Sequence, residues 1–249
     1  MIRDATFPCG ISMEFFKYEN KDEAKEAAGK ALNGLLESNK GLPILLLVSG
    51  GSALGLLERA AVELQEDRVT VGMLDERFSA DPSVNNFLQF QTTGFYQRAK
   101  NAGAHFIETV PHKGEIPSVM AERFEKTLRS WKEKNPEGKV IITQGVGHDG
   151  HTAGIMPYSD DPEIFQKLFG NEAQWVVGYD AGNKNQYPFR VTVTLPFLRN
   201  EVDATIVYVV GGEKQNVLER VLSTNGTLSE TSARVIRDMR SARVFTDIS

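Results

Sequence analysis

The chain of 249 residues has a single cysteine, Cys9. No internal disulfide can form from it, and a structural zinc site built of cysteines is excluded, which fits a reducing cytoplasm. Positive charge is not in excess either: 28 Lys and Arg stand against 33 Asp and Glu, a formal net charge of -5 with a pI near 5.5. That balance gives no reason to expect a nucleic-acid partner. Long hydrophobic runs are missing as well, since nothing approaches the ~18 apolar residues of a membrane span. The opening MIRDATFPCG has no basic stretch followed by an apolar one, so neither a membrane anchor nor a secretion signal is expected. These absences describe a soluble cytoplasmic protein. Apolar residues at 41% and charged residues at 24% are ordinary for a folded globular chain. The length suits one large α/β domain over residues 1–249 better than two small ones.

Hydrophobic periodicity gives the architecture. Across residues 21–36, Ala24, Ala27, Ala28, Ala31, Leu32, Leu35 and Leu36 recur at helical spacing with Lys and Glu between them. Gly41-Leu42-Pro43 breaks that helix, and residues 44–48 form an unbroken apolar run, as in a strand covered on both faces. A helix is expected over residues 53–64, short strands at 69–74 and 140–142, and a helix between them at 119–131. Further strands are expected at 175–177, 190–195 and 204–210, the middle one with β-branched alternation, and a closing helix at 213–222. Strands alternating with helices predict a single doubly wound, mostly parallel sheet flanked by helices, a Rossmann-like α/β fold. Residues 178–188 (GYDAGNKNQYP) read as the most mobile loop.

The chemistry-bearing residues fall just after apparent strands, where open α/β sheets bind ligands. Residues 143–157 (TQGVGHDGHTAGIMP) bring glycines, Asp149 and His151 together. Glycines allow close backbone approach to a ligand, and histidine titrates near neutral pH, so His151 is the candidate general base with Asp149 orienting it. A histidine that merely satisfies loop backbone groups is the plainer reading. Two neighbouring residues are too few for a metal site, and His105 and His112 read as surface residues. Ser49-Gly50-Gly51-Ser52 lies between a strand and a helix; its amides and hydroxyls suit an anion, or Ser52 simply caps the helix. The lysine of a P-loop and the third glycine of a dinucleotide fingerprint are missing, which disfavours ATP and NAD.

Asp75-Glu76-Arg77 ends the strand at 69–74. Arg77 offers a planar fork to a phosphate or carboxylate, unless the three neighbours form a structural ion pair. Asn85 and Asn86 follow, suited to orient a loop or bond a sugar. Lys184, Arg190 and Lys214 read by spacing alone as solvated surface. No Gly-x-Ser-x-Gly elbow is present, so covalent serine catalysis is disfavoured.

Taken together, SGGS at 49–52, LDER at 74–77, NNF at 85–87 and GVGHDGHTAGIMP at 145–157, with PFRVTVTLPFL at 188–198 and VVGGEKQNVL at 209–218, resemble the 6-phosphogluconolactonases within the superfamily that includes glucosamine-6-phosphate deaminases. The resemblance implies hydrolysis of 6-phosphoglucono-δ-lactone in the oxidative pentose phosphate pathway, without metal or organic cofactor. It implies His151 as the base and Asp149 beside it. Ser49, Gly50, Gly51, Ser52, Asp75, Arg77, Asn86, Arg190 and Lys214 would bind the sugar phosphate, Arg190 and Lys214 being the weaker candidates. The sequence departs from the family pattern at Ala53-Leu54, at Asn85 where serine is usual, and at Gly154-Ile155-Met156. The deaminase branch has Ile where Thr152 stands and Glu where Met156 stands, so that reading is second; a non-catalytic sugar-phosphate-binding protein is third. A small-molecule partner and a monomer or small homo-oligomer are expected.

Overall fold

The computed structural model describes residues 3–6, 12–60 and 66–248; Cys9 and the far end of the helix expected to reach Leu64 lie outside them. In chain order, β1 (Arg3–Thr6) and β2 (Ser12–Lys17) lead to α1 (Lys21–Ser38), β3 (Ile44–Val48), β4 (Val69–Met73) and β5 (Asp75–Arg77). Next come α2 (Asn86–Gln91), α3 (Gly94–Asn101), β6 (His105–Ile107), α4 (Pro117–Lys134), β7 (Lys139–Gly145) and α5 (Pro162–Phe169). The last are β8 (Val176–Asp180), β9 (Phe189–Val193), α6 (Leu195–Asn200), β10 (Ala204–Val209), α7 (Gln215–Leu222) and β11 (Ser241–Thr246).

The main sheet runs β1-β2-β11-β10-β7-β3-β4-β6, parallel at every junction except β1 with β2. The doubly wound, mostly parallel sheet is thus present. Strand β3 shows why helices cover both its faces: all five residues are buried, and successive side chains point to opposite sides. Ile44, Leu46 and Val48 join the core under α1, α2 and α3, while Leu45 and Leu47 join the core under α4 and α5. Helix α1 is fixed at its start by Asn20, whose side chain accepts from Asp22 N and Glu23 N. It buries Ala24, Ala28, Leu32 and Leu36, a four-residue repeat along one stripe.

Two expectations need correction. Strands β8 and β9 do not extend the main sheet; with β5 they form a separate antiparallel sheet, order β5-β9-β8. The cause is local. Leu74 N donates to Val48 O (2.8 Å) while Leu74 O accepts from Val193 N (3.4 Å), so the chain changes sheets across a single residue. Secondly, the helix expected from Ala53 begins at Gly51 and is of the 3-10 type, Gly51–Arg59. Gly51 at φ 66° and Gly55 both weaken α-helix there. The loop expected over 178–188 is shorter too, its first three residues being the end of β8.

Candidate active site

Strand order reverses at the centre of the sheet: β4 and β6 lie beyond β3 on one side, β7, β10 and β11 on the other. At such a reversal the loops leaving neighbouring strands diverge and open a crevice. Here residues 49–52 leave β3 and residues 146–151 leave β7. Between them lies a cavity of about 210 Å³, lined by Ser49, Gly50, Gly51, Ser52, Asp75, Arg77, Asn86, His151, Arg190 and Lys214. These are the residues singled out from sequence, apart from Asp149, which stands against His151. Larger grooves of about 890 and 830 Å³ occur beside Leu218 and along α4, but neither contains a histidine.

The loop carrying His151 is folded on itself, with Gly147 N donating to His151 O (2.9 Å) and Gly150 N to Gly147 O (3.0 Å). Asp149 Oδ1 accepts from His151 N (3.1 Å) and lies 2.5 Å from His151 Nδ1. Burial raises the Asp149 pKa, but hydrogen bonding and charge from His151 outweigh it and hold the carboxyl below its ordinary value. An ionised carboxylate only accepts, so Nδ1 carries a proton, and in the neutral ring Nε2 is the nitrogen with the free lone pair. Gly147 makes this pairing possible: a Cβ there would overlap the His151 ring and Asp149 Oδ1. His148 is exposed, as are His105 and His112. Among the described residues no group of three or more His, Cys, Asp or Glu is placed to hold a metal.

Opposite the histidine, β5 and β9 supply cations. Arg77 and Arg190 are direct cross-strand partners, and Asp75 and Arg77 share a face of β5. Asp75 Oδ2 meets Arg190 Nη2 at 2.7 Å with side chains 9% and 5% exposed. Arg190, read by spacing as surface, is therefore buried because a carboxylate on the neighbouring strand neutralises it. No ion pair joins Asp75, Glu76 and Arg77 to one another. Arg77 lies 4.8 Å from the ring centre of Tyr187, a cation–π contact. Lys214 arrives from the turn Gly212–Lys214; burial lowers its pKa, with Glu213 pulling the other way. Lys184 is held by Asp160 (3.0 Å) and does not line the cavity.

Glu76 points away and organises the wall. It accepts from Asn86 N (2.5 Å), Phe87 N (3.0 Å), Thr109 Oγ1 (2.8 Å) and Arg77 N (2.8 Å). Burial pushes its carboxyl up to about 8, against the pull of Asn86, Thr109 and Phe87. Asn85 caps α2 by accepting from Leu88 N (2.8 Å), a role serine fills equally well. Asn86 donates to Asp75 O (3.1 Å). Ser49 Oγ, Arg77 Nε, Asn86 Oδ1 and Arg190 Nε are buried without a hydrogen-bond partner among the described residues, and each belongs to a residue lining this cavity. Such atoms are rare in a finished interior and common where a ligand completes the bonding. Sequence reasoning did not single out Tyr187, Ala153 or the close approach at Gly147. Only Gly147 had a signal, the Gly-x-Gly before His148.

Fold and cavity together define a doubly wound α/β protein with a histidine–carboxylate pair facing a cationic wall at the point where strand order reverses. Residues 19–245 match the family model described as glucosamine-6-phosphate isomerases/6-phosphogluconolactonase. The chain belongs to that family. It is 30% identical over 207 residues to a 6-phosphogluconolactonase of Xylella fastidiosa, covering 80% of each chain. It is 31% identical over 186 residues to the 6-phosphogluconolactonase of Homo sapiens, covering 70% of this chain and 67% of that one. In fold it is similar to a 6-phosphogluconolactonase from Trypanosoma brucei, with a TM-score of 0.72 at 18% identity over 93% of this chain and 95% of that one. Among the described residues no helix is long and apolar enough to cross a membrane.

Proposed function

We propose that the protein is a 6-phosphogluconolactonase, hydrolysing 6-phosphoglucono-δ-lactone to 6-phosphogluconate in the oxidative pentose phosphate pathway of the cytoplasm. The observation that carries the proposal is the shared cavity: His151, oriented by Asp149, faces the same space as Arg77, Arg190 and Lys214. One end of that space is built for a base, the other for an anion. The relatives' names point the same way.

In this reading the phosphate lies among Arg77, Lys214, Arg190 and the amides of residues 49–52, which fixes the lactone carbonyl against a water held by His151 Nε2. Water oxygen adds to the carbonyl carbon while Nε2 takes its proton, and the carbonyl oxygen becomes an oxyanion. Collapse breaks the bond to the ring oxygen, which takes the proton back from His151 and leaves as the hydroxyl of the open-chain acid. Asp149 stabilises the imidazolium between the two transfers. Binding energy of the distant phosphate thus serves the reaction at the carbonyl. Thr152 and Met156, where the deaminase pattern has Ile and Glu, favour the lactonase over that branch.

The test is hydrolysis of freshly generated 6-phosphoglucono-δ-lactone above its spontaneous rate, by the wild type and by His151→Ala. General-base catalysis contributes roughly 10²- to 10⁴-fold, so the variant is expected to fold, bind 6-phosphogluconate and lose kcat by that factor. A variant as fast as wild type removes the mechanism, and no acceleration by the wild type removes the activity.

A further inference from the structure

We infer that the backbone N–H groups of Ala153 and Gly154 are the donors that hold the oxyanion formed when water adds to the lactone; this rests on the lactonase reading above. Residues 152–155 form a tight turn in which Ile155 N donates to Thr152 O (2.8 Å). Its two central residues take positive φ, 50° at Ala153 and 71° at Gly154. Glycine adopts such angles freely and alanine does not, so the surroundings must impose them. Three buried hydroxyls do so. Thr192 Oγ1 donates to Ala153 O, Tyr179 OH to Gly154 O (2.6 Å) and Ser232 Oγ to Ile155 O.

A peptide plane carries its C=O and N–H on opposite edges. With the Ala153 carbonyl drawn towards Thr192, the N–H of Gly154, in the same peptide plane, is turned the other way. Both residues are buried and both line the cavity with His151. Among the described residues no acceptor meets either N–H. Buried N–H groups without an acceptor are rare, and successive N–H groups on such a turn form a concave anion seat. Ala153 stands two residues after His151, while Thr192 of β9 holds its carbonyl and Asp75 of β5 packs on Gly154, so the turn lies where the histidine loop meets the cationic ribbon; binding of a phosphate without a carbonyl separates an oxyanion seat from a phosphate seat. The carboxylate packed on Gly154, that of Asp75, has its charge met by Arg190 and does not repel the oxyanion.

The experiment deletes each N–H alone. L-lactate at position 153 and glycolate at position 154, introduced into the full chain by nonsense suppression, replace one amide each by an ester and leave every side chain in place. Each is expected to lower kcat for the lactone by roughly 10²-fold, with the Kd for sorbitol 6-phosphate, which carries the phosphate but no carbonyl, unchanged. Tyr179→Phe, which frees the Gly154 carbonyl, is expected to lower kcat in the same sense without changing that Kd. Ester variants that keep wild-type kcat overturn the assignment while leaving the lactonase reading intact. Weakened sorbitol 6-phosphate binding in step with kcat makes the turn structural and overturns it as well. A wild type that does not hydrolyse the lactone overturns both.

Discussion

Arg77 and Arg190 stand directly opposite each other on the neighbouring antiparallel strands β5 and β9. Like charges in that register repel. Asp75 neutralises Arg190 at 2.7 Å, while Arg77 stacks on Tyr187 and its Nε meets no partner among the described residues. The ribbon is therefore left with positive charge aimed at the cavity that both arginines line, and an anion placed there relieves a repulsion already built into the fold.

Removing Arg77 separates binding from chemistry. A charge-assisted hydrogen bond contributes about 1.5–3 kcal/mol, so Arg77→Ala is expected to raise KM for the lactone about 10- to 100-fold with kcat retained. Steady-state kinetics over a range of lactone concentrations decide it. A fall in kcat at constant KM would move Arg77 to the reacting end.

Asp75→Ala leaves the Arg190 guanidinium buried without its counter-charge. Breaking one side of a buried ion pair costs about 3–5 kcal/mol, and urea unfolding is expected to show a loss of that size. A phosphate seated in the cavity as proposed would bind the native state only, so millimolar phosphate should recover part of the loss. Stability unmoved by the substitution would mean that Arg190 finds water or another acceptor.

Gly147→Ala places a methyl group where the His151 ring and Asp149 Oδ1 now pack. The loop is partly open to solvent, with His151 30% and Asp149 44% exposed, so it can shift without disturbing the core. The expected outcome is a kcat reduced by roughly 10²-fold or more, approaching that of His151→Ala, with a thermal midpoint near wild type. Full activity in this variant would show that the pairing with Asp149 is dispensable.

Lys214 gives the alkaline behaviour of binding. Burial lowers its pKa from the ordinary 10.5, and a bound anion favours its charged form. Affinity for 6-phosphogluconate is thus complete below the lowered value and declines as pH rises through it, ahead of an ordinary lysine. Calorimetric titration from pH 7 to 10 should show that decline in the wild type. Lys214→Met should bind more weakly at neutral pH and show a flatter profile; an identical decline in the variant would assign it elsewhere.

Much of the main sheet is legible because β3 is a continuous apolar run and β4, β7 and β10 are rich in apolar, β-branched residues. The small sheet is not, since its first strand is Asp-Glu-Arg, three charged residues that no β propensity marks. Strand β11 (SARVFT) alternates too weakly to stand out, and the six residues of α2 are too few for a helical period. In the site, the glycine-rich and histidine-bearing segments announce themselves through local composition. The burial of Arg190 does not, because its partner is 115 positions away in the chain. Tyr187 sits in a loop whose composition only suggests mobility, and a positive φ at Ala153 is set by hydroxyls from three distant segments rather than by alanine itself.

Strand β11 lies between β2 and β10. Strand β2 reaches β10 and the rest of the main sheet only through β11, the described strand farthest from it along the chain. Until Ser241–Thr246 has docked, β2 and β10 each present an unpaired strand edge, the feature that templates wrong pairing between chains. Docking of β11, rather than collapse of the central strands, is the step that closes the sheet and covers both edges.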